Sequence, residues 1–196
     1  TEVIYHVMVG PGVLTFVKEM GEHFGATRPQ IFGFIDSLEA VDLSTPALDY
    51  LNGTYFWEAF PRYAGATPSA ADTFFRSKVG VDANGASTAD PKDISTYSHM
   101  FGCWETLYFL KQAMEAAGYK SKADTAKLIE ASEAITTLAA GNEHPQGAKV
   151  FNGKLHQAFG VQNISKVNAG KLDVVHTTTL EDGLYASDVD YTKMAL

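Results

Sequence analysis

EVIYHVMVGPGVLTFVKEMGEHFGATRPQIFGFID, residues 2–36, is the stretch whose reading decides the fold. Residues 2–9 are β-branched and apolar, the composition of a buried strand. Gly10, Pro11 and Gly12 then break the run. Beyond them Val13, Phe16, Val17, Met20 and Phe24 recur at spacings of three and four, which lines one face of a helix. Gly25 is placed to end that helix in a left-handed cap. A second apolar run, QIFGFI at 30–35, closes the series. Strand, glycine-bounded turn, helix and strand make a βαβ unit, whose strands lie parallel and side by side through a right-handed crossover. The fold class expected is therefore α/β. The tips of the two strands, at 8–10 and at Asp36, should open onto a crevice of the kind where open α/β sheets bind ligands.

Working outward, 38–51 reads as a short helix near 40–43 with Pro46 starting a second turn. GTYFWEAF at 53–60 is aromatic and β-prone and stops at Pro61. A helix is predicted over 70–79 with Phe74 and Phe75 on its buried side, then an exposed loop over 80–94 carrying Asn84-Gly85 and Pro91. The longest helix is predicted over 95–118, its buried stripe formed by Tyr97, Met100, Phe101, Trp104, Leu107, Tyr108 and Met114. Ser121 and Asp124 have the spacing of a capping box for the next helix, whose core side is Leu128, Ile129, Ile135 and Leu138. Two β runs at 161–167 and 172–177 join through Asn168, Ala169 and Gly170 as a hairpin.

The 196 residues suffice for one substantial domain or two small lobes, and 45% hydrophobic with 19% charged residues is the balance of a folded globular chain. A net charge of -8 without any Lys/Arg cluster opposes phosphates, so nucleic acid is excluded as a partner. No apolar run approaches the ~20 residues of a membrane span. The single cysteine, Cys103, allows no internal disulfide and leaves the compartment open. The chain opens on Glu2, Val3, Ile4 and Tyr5, a strand already under way, which suggests a fragment or a processed product.

Candidate chemistry is sparse. His99 and Cys103 stand four apart on one helix face, the raw material of a thiolate nucleophile or half a metal site. No second His/Cys pair with zinc spacing accompanies them, and a buried core cysteine is the stronger reading. The other histidines (His6, His23, His144, His156 and His176) form no HExxH pair, and no hydrolase elbow is present. No metal and no cofactor is expected. GPG at 10–12 lacks the third glycine of a dinucleotide turn, Thr15 occupying its place. Asp36 is the foremost candidate. It follows QIFGFI directly and could accept charge-assisted hydrogen bonds from an ammonium group, or could equally cap the helix after it. Met8, Val9 and Gly10 end the first strand on the same sheet edge, where backbone N–H groups at a helix start can face a ligand. Tyr55, Phe56, Trp57, Phe60 and Tyr63 could add a wall, although such a set is more often strand core.

An ordered series of segments resembles the type I periplasmic binding proteins of branched-chain amino-acid ABC transporters. It runs VIYHVMVGPGVLTFVKEMGEHFG, QIFGFID, GTYFWEAFPRY, STYSHMFGCWETLYFLKQAMEAAG and FNGKLHQAFGVQNISKVNAGKLDVV, across roughly 2–178. The resemblance implies a parallel, Rossmann-like sheet with flanking helices, in two lobes that close over a small solute. It also implies that this chain is the C-terminal half of a protein about twice its length. The expected divisions are 1–58 in the C-terminal lobe, 59–155 returning to the N-terminal lobe, and 156–196 as a closing hairpin and tail across the hinge. By the same resemblance Asp36 falls where an acid pairs with the ligand's α-ammonium. Val9 falls where many members carry an aromatic residue, and valine can neither stack nor donate a hydrogen bond. The function implied is capture of an amino acid or similar polar solute for an ABC importer in the periplasm, with no catalysis. The partners implied are the small-molecule ligand, the transporter permease and the missing N-terminal half. Two alternatives stand beside it: a sensory ligand-binding domain of the same fold, and a small α/β enzyme using Cys103 with His99.

Overall fold

The computed structural model describes residues 2–8, 10–34, 46–65, 67–92, 97–184 and 190–193. Strand β1 (Val3–His6) leads through Gly10 into helix α1 (Gly12–Phe24), and β2 (Gln30–Phe34) follows. A 3₁₀ stretch, Pro46–Leu51, precedes β3 (Tyr55–Glu58). Next come α2 (Ala70–Val79), α3 (Tyr97–Ala117) and α4 (Thr125–Ala134). Three short strands, β4 (Thr137–Leu138), β5 (Lys149–Asn152) and β6 (Gln157–Phe159), form a small antiparallel sheet. The hairpin β7 (Asn163–Asn168) and β8 (Lys171–Thr177) then returns to the main sheet, whose order is β1-β2-β3-β7-β8.

The βαβ reading holds. β1 and β2 are parallel with His6 opposite Gly33, and β2 and β3 are parallel with Gly33 opposite Phe56. The β7–β8 hairpin joins antiparallel to β3. One face of this sheet packs on α1 and on the Pro46–Leu51 turn, burying Val13, Val17, Ile31, Leu51, Phe56, Val167 and Leu172 in a single cluster. Full burial of side chains this size contributes roughly 1.5–3 kcal/mol each. Separate clusters form around Phe60, Phe75, Val81 and Phe101, and around Ala113, Ile135 and Leu138.

Local signals also act as expected at helix starts. Ser69 Oγ accepts the Asp72 N–H at 3.0 Å and caps α2. Ser121 and Asp124 form a capping box around the 3₁₀ turn that leads into α4. Each such cap contributes about 1 kcal/mol. On α2, Arg76 is buried and donates to Asp72, to the carbonyls of Pro61 and Arg62, and to that of Asp82, stitching the helix to the segment after β3.

Several expectations need correction. β1 is an edge strand, not a buried one: Val3 and Tyr5 are more than half exposed because no described strand pairs beyond them and no described element covers their face. Gly25 closes α1 with φ 52° and ψ -128°, a positive φ outside the left-handed helical region, because the chain continues into a 3₁₀ turn. On α3, Leu107 is 67% exposed, while Glu105 and Ala113 are buried. The apolar stripe therefore points partly away from α2 and α4. Ile135 and Leu138 lie beyond α4, and Leu138 belongs to the small sheet that periodicity had not indicated. The short helix expected near 40–43 lies outside the described residues.

Candidate functional site

The parallel register sets the site's floor. His6, the last residue of β1, is buried and lies against Gly33 of β2, with its ring edge-on to Phe16 and Phe56 at 5.9 and 6.4 Å. Its Nδ1 accepts the Met8 N–H at 3.4 Å, and Nε2 has no hydrogen-bond partner among the described residues. Burial pushes the imidazole pKa below its ordinary value, so the ring is neutral near pH 7.

From His6 the chain climbs out of the sheet. Val7 is 68% exposed and Met8 39% exposed. The Met8 methyl folds over the start of α1, 3.7 Å from where a Cβ at Gly12 would sit. Gly10 has φ 81°, a left-handed conformation that favours glycine, and its carbonyl accepts the Val13 N–H at 3.2 Å. Met8 and Gly10 thus sit together at the strand tip beside a helix N-terminus. Val9 and Asp36 lie outside the described residues, and in sequence Asp36 follows β2 by two positions.

The supposed aromatic wall is divided. Phe56 and Phe60 are core residues, and the Tyr63 hydroxyl donates to the Gly170 carbonyl at 3.3 Å. Tyr5, Phe32 and Tyr55 are in register across three strands, on the face opposite α1, with the Lys166 ammonium 5.4 Å from the Tyr55 ring. Cys103 and His99 are both exposed, so the cysteine is not the core residue its apolar neighbours suggested. Among the described residues no group of three His, Cys, Asp or Glu could hold a metal ion, and no helix is long and apolar enough to cross a membrane.

Two of the cavities away from the strand tips are lined in part by Gln146. One of about 230 Å³ is bounded by Pro61, Tyr63, Ser69, Gln146, Asn163 and Thr177. The other, of about 360 Å³, lies between α3 and the small sheet, where Glu105 and Lys149 form a buried ion pair at 2.6 Å. Burial raises the Glu105 pKa and lowers that of Lys149, and each partner's charge opposes the shift of the other. Glu105, Gln146 and Lys149 carry no motif. Residues 41 and 44 positions apart meet only once the chain is folded, so no signal in the sequence could have singled them out.

The sequence profile described as periplasmic binding protein matches residues 1–171. The chain belongs to the periplasmic binding protein family. No curated protein matches the sequence. Among solved structures, a solute-binding protein of an R. palustris ABC transporter, in complex with benzoate, has a TM-score of 0.65 at 16% identity, over 98% of this chain and 46% of its own. A leucine-binding protein from Thermotoga maritima has 0.64 at 15%, over 92% of this chain and 45% of its own. A leucine-, isoleucine-, valine-, threonine- and alanine-binding protein from Brucella ovis, in a closed conformation, has 0.66 at 14%, over 95% and 45%. At such identities the likeness establishes the type I periplasmic binding protein fold alone. The chain spans less than half the length of these family members.

Proposed function

We propose that this chain is the C-terminal half of the extracytoplasmic solute-binding component of an ABC importer, which captures an amino acid or similar small polar solute between two lobes. The observation that carries this reading is the pair of parallel tips. β1 ends at His6 and runs out through exposed Met8 to Gly10 beside the start of α1, and β2 ends two residues before Asp36. In an open α/β sheet that edge is where ligands sit. Asp36 supplies a carboxylate for the ligand's ammonium group, and Met8, Val9 and Gly10 form the adjoining rim. The protein performs no catalysis in this reading and works in the periplasm, handing its ligand to a membrane permease.

The remainder of the protein would cover what this half leaves bare. Three surfaces support that. Among the described residues β1 is an open edge, the face bearing Val3 and Tyr5 is uncovered, and α3 exposes Cys103, Leu107, Leu110 and Met114 at spacings of four, three and four. Such a stripe is one side of a helix, here turned away from its described neighbours. The solved structures are more than twice as long, so an N-terminal half of the same protein is the occupant that fits. Alone, this chain would hold one jaw of the clamp and bind weakly.

A thermal-denaturation screen of the whole protein tests the reading. A ligand at a hundred times its Kd stabilises the folded state by about 2.7 kcal/mol. An aliphatic amino acid is expected to raise the melting temperature by several degrees. A shift with benzoate and none with amino acids would keep solute capture and overturn the amine preference. No shift with amino acids, amides or aromatic acids would overturn capture itself.

A further inference from the structure

The described elements form two groups. β1, β2, β3, β7, β8, α1 and the Pro46–Leu51 turn pack with one another, and so do α2, α3, α4 and the β4–β6 sheet, but no helix or strand of one group packs broadly on the other. The chain passes between the groups after β3 and again at 160–162, and the segment after β8 runs beside the second passage through Thr178. Where these passages meet, the joint is polar. Asn163 Nδ2 donates to the Ala59 carbonyl at 3.3 Å, Thr177 Oγ1 to Asn163 Oδ1 at 2.8 Å, and the Gln162 and Thr178 backbones are bonded through Thr178 N–H to Gln162 O at 2.8 Å.

Gln146 reaches into this joint from the loop between β4 and β5. Its side-chain amide donates one N–H to the carbonyl of Ala59 at 2.5 Å and the other to that of Val161 at 2.6 Å, so a single group ties two passages together. Its own backbone N–H donates to Glu105 Oε1 at 3.1 Å, and Glu105 is held by Lys149. Gly160 makes the approach possible, since a Cβ there would lie 3.2 Å from Gln146 Oε1 and 3.4 Å from Lys149 Cγ. The amide is thus anchored to α3 through a buried ion pair and grips the segments that lead to the main sheet.

We propose that Gln146 is the clasp of this joint, a positioning residue that sets how freely the two groups of elements swing relative to each other. Its consequence for ligand capture rests on the solute-binding reading, because a stiffer joint fixes how the lobes meet over a solute. Glutamate at this position loses both donors and sets a carboxylate against two carbonyls, and methionine keeps the length without polarity.

Hydrogen–deuterium exchange of the whole protein, without ligand, tests the clasp for wild type, Gln146→Met and Gln146→Glu. Amides of the joint, Gln162 and Thr178 above all, are expected to exchange at least tenfold faster in both variants, with α3 and the β1–β2 pair at wild-type rates. Unchanged joint exchange would overturn the proposal, and so would equal acceleration everywhere, which is the signature of plain destabilisation. In the whole protein the same variants should change the rate of closure on a ligand. Failure of every ligand to bind would sink solute capture while leaving the exchange result standing.

Discussion

The His6 imidazole occupies the space that a side chain at residue 33 would need: a Cβ built on Gly33 would lie 2.1 Å from Nε2. The two residues are opposite each other in the β1–β2 register, and the ring is enclosed by Phe16 and Phe56, so it has nowhere to retreat. Gly33→Ala is expected to destabilise the chain by about 1–3 kcal/mol, the usual cost of overfilling a packed core. His6→Ala in the same chain should recover part of that loss. Urea denaturation of the two single variants and the double variant measures the coupling, and strictly additive effects would contradict the packing described.

Burial lowers the pKa of His6, and burial followed by the Lys149 charge lowers that of His144, against a smaller opposing effect of Glu143. In the unfolded chain both imidazoles bind protons near the ordinary value of about 6.5. Between the lowered pKa and that value the unfolded state holds more protons, so stability falls as the pH drops through this window and is unaffected by these groups above it. Denaturation at pH 7.5, 6.5 and 5.5 should show the loss for wild type and a shallower slope for His6→Asn. Identical slopes would mean that His6 titrates alike in both states.

Glu105 and Lys149 are each less than a tenth exposed and 2.6 Å apart. Removing one leaves the other charged in a buried site, which costs about 3–5 kcal/mol. Glu105→Gln and Lys149→Met should each show that loss in denaturant titrations, and Glu105→Leu with Lys149→Met together should cost far less. A single variant that loses under about 1 kcal/mol would show that solvent reaches the pair.

The βαβ unit was legible because its signals are local. Val13 and Val17 mark the buried face of α1, and glycines bracket the helix. The hairpin was legible for the same reason, with alternation on either side of Asn168, Ala169 and Gly170. Exposure was not. Val3, Tyr5 and Leu107 read as core, since periodicity reports which residues are apolar and not whether a neighbour is present to cover them. The β4–β6 sheet has strands of two to four residues, too short for alternation to register. At the site, the positions of Met8 and Gly10 followed from the strand break, whereas the burial of His6 depends on a glycine 27 positions away.

Cys103 offers a direct test of where the proposed N-terminal half would dock. It is exposed here, in line with Leu107, Leu110 and Met114 on α3. Maleimide labelling under native conditions should be complete for the 196-residue chain and at least tenfold slower for the protein carrying its N-terminal half. Equal labelling of the two would place the docking surface elsewhere.

Titration calorimetry of the whole protein and its Asp36→Asn variant, with the amino acid that gives the largest thermal shift, bears on solute capture most directly. Under the proposed function, where Asp36 would meet the ligand's ammonium group, loss of its charge should weaken binding at least tenfold, about 1.4 kcal/mol, with little change in melting temperature without ligand. Unchanged affinity would make Asp36 a helix cap and remove the acid from the ligand site.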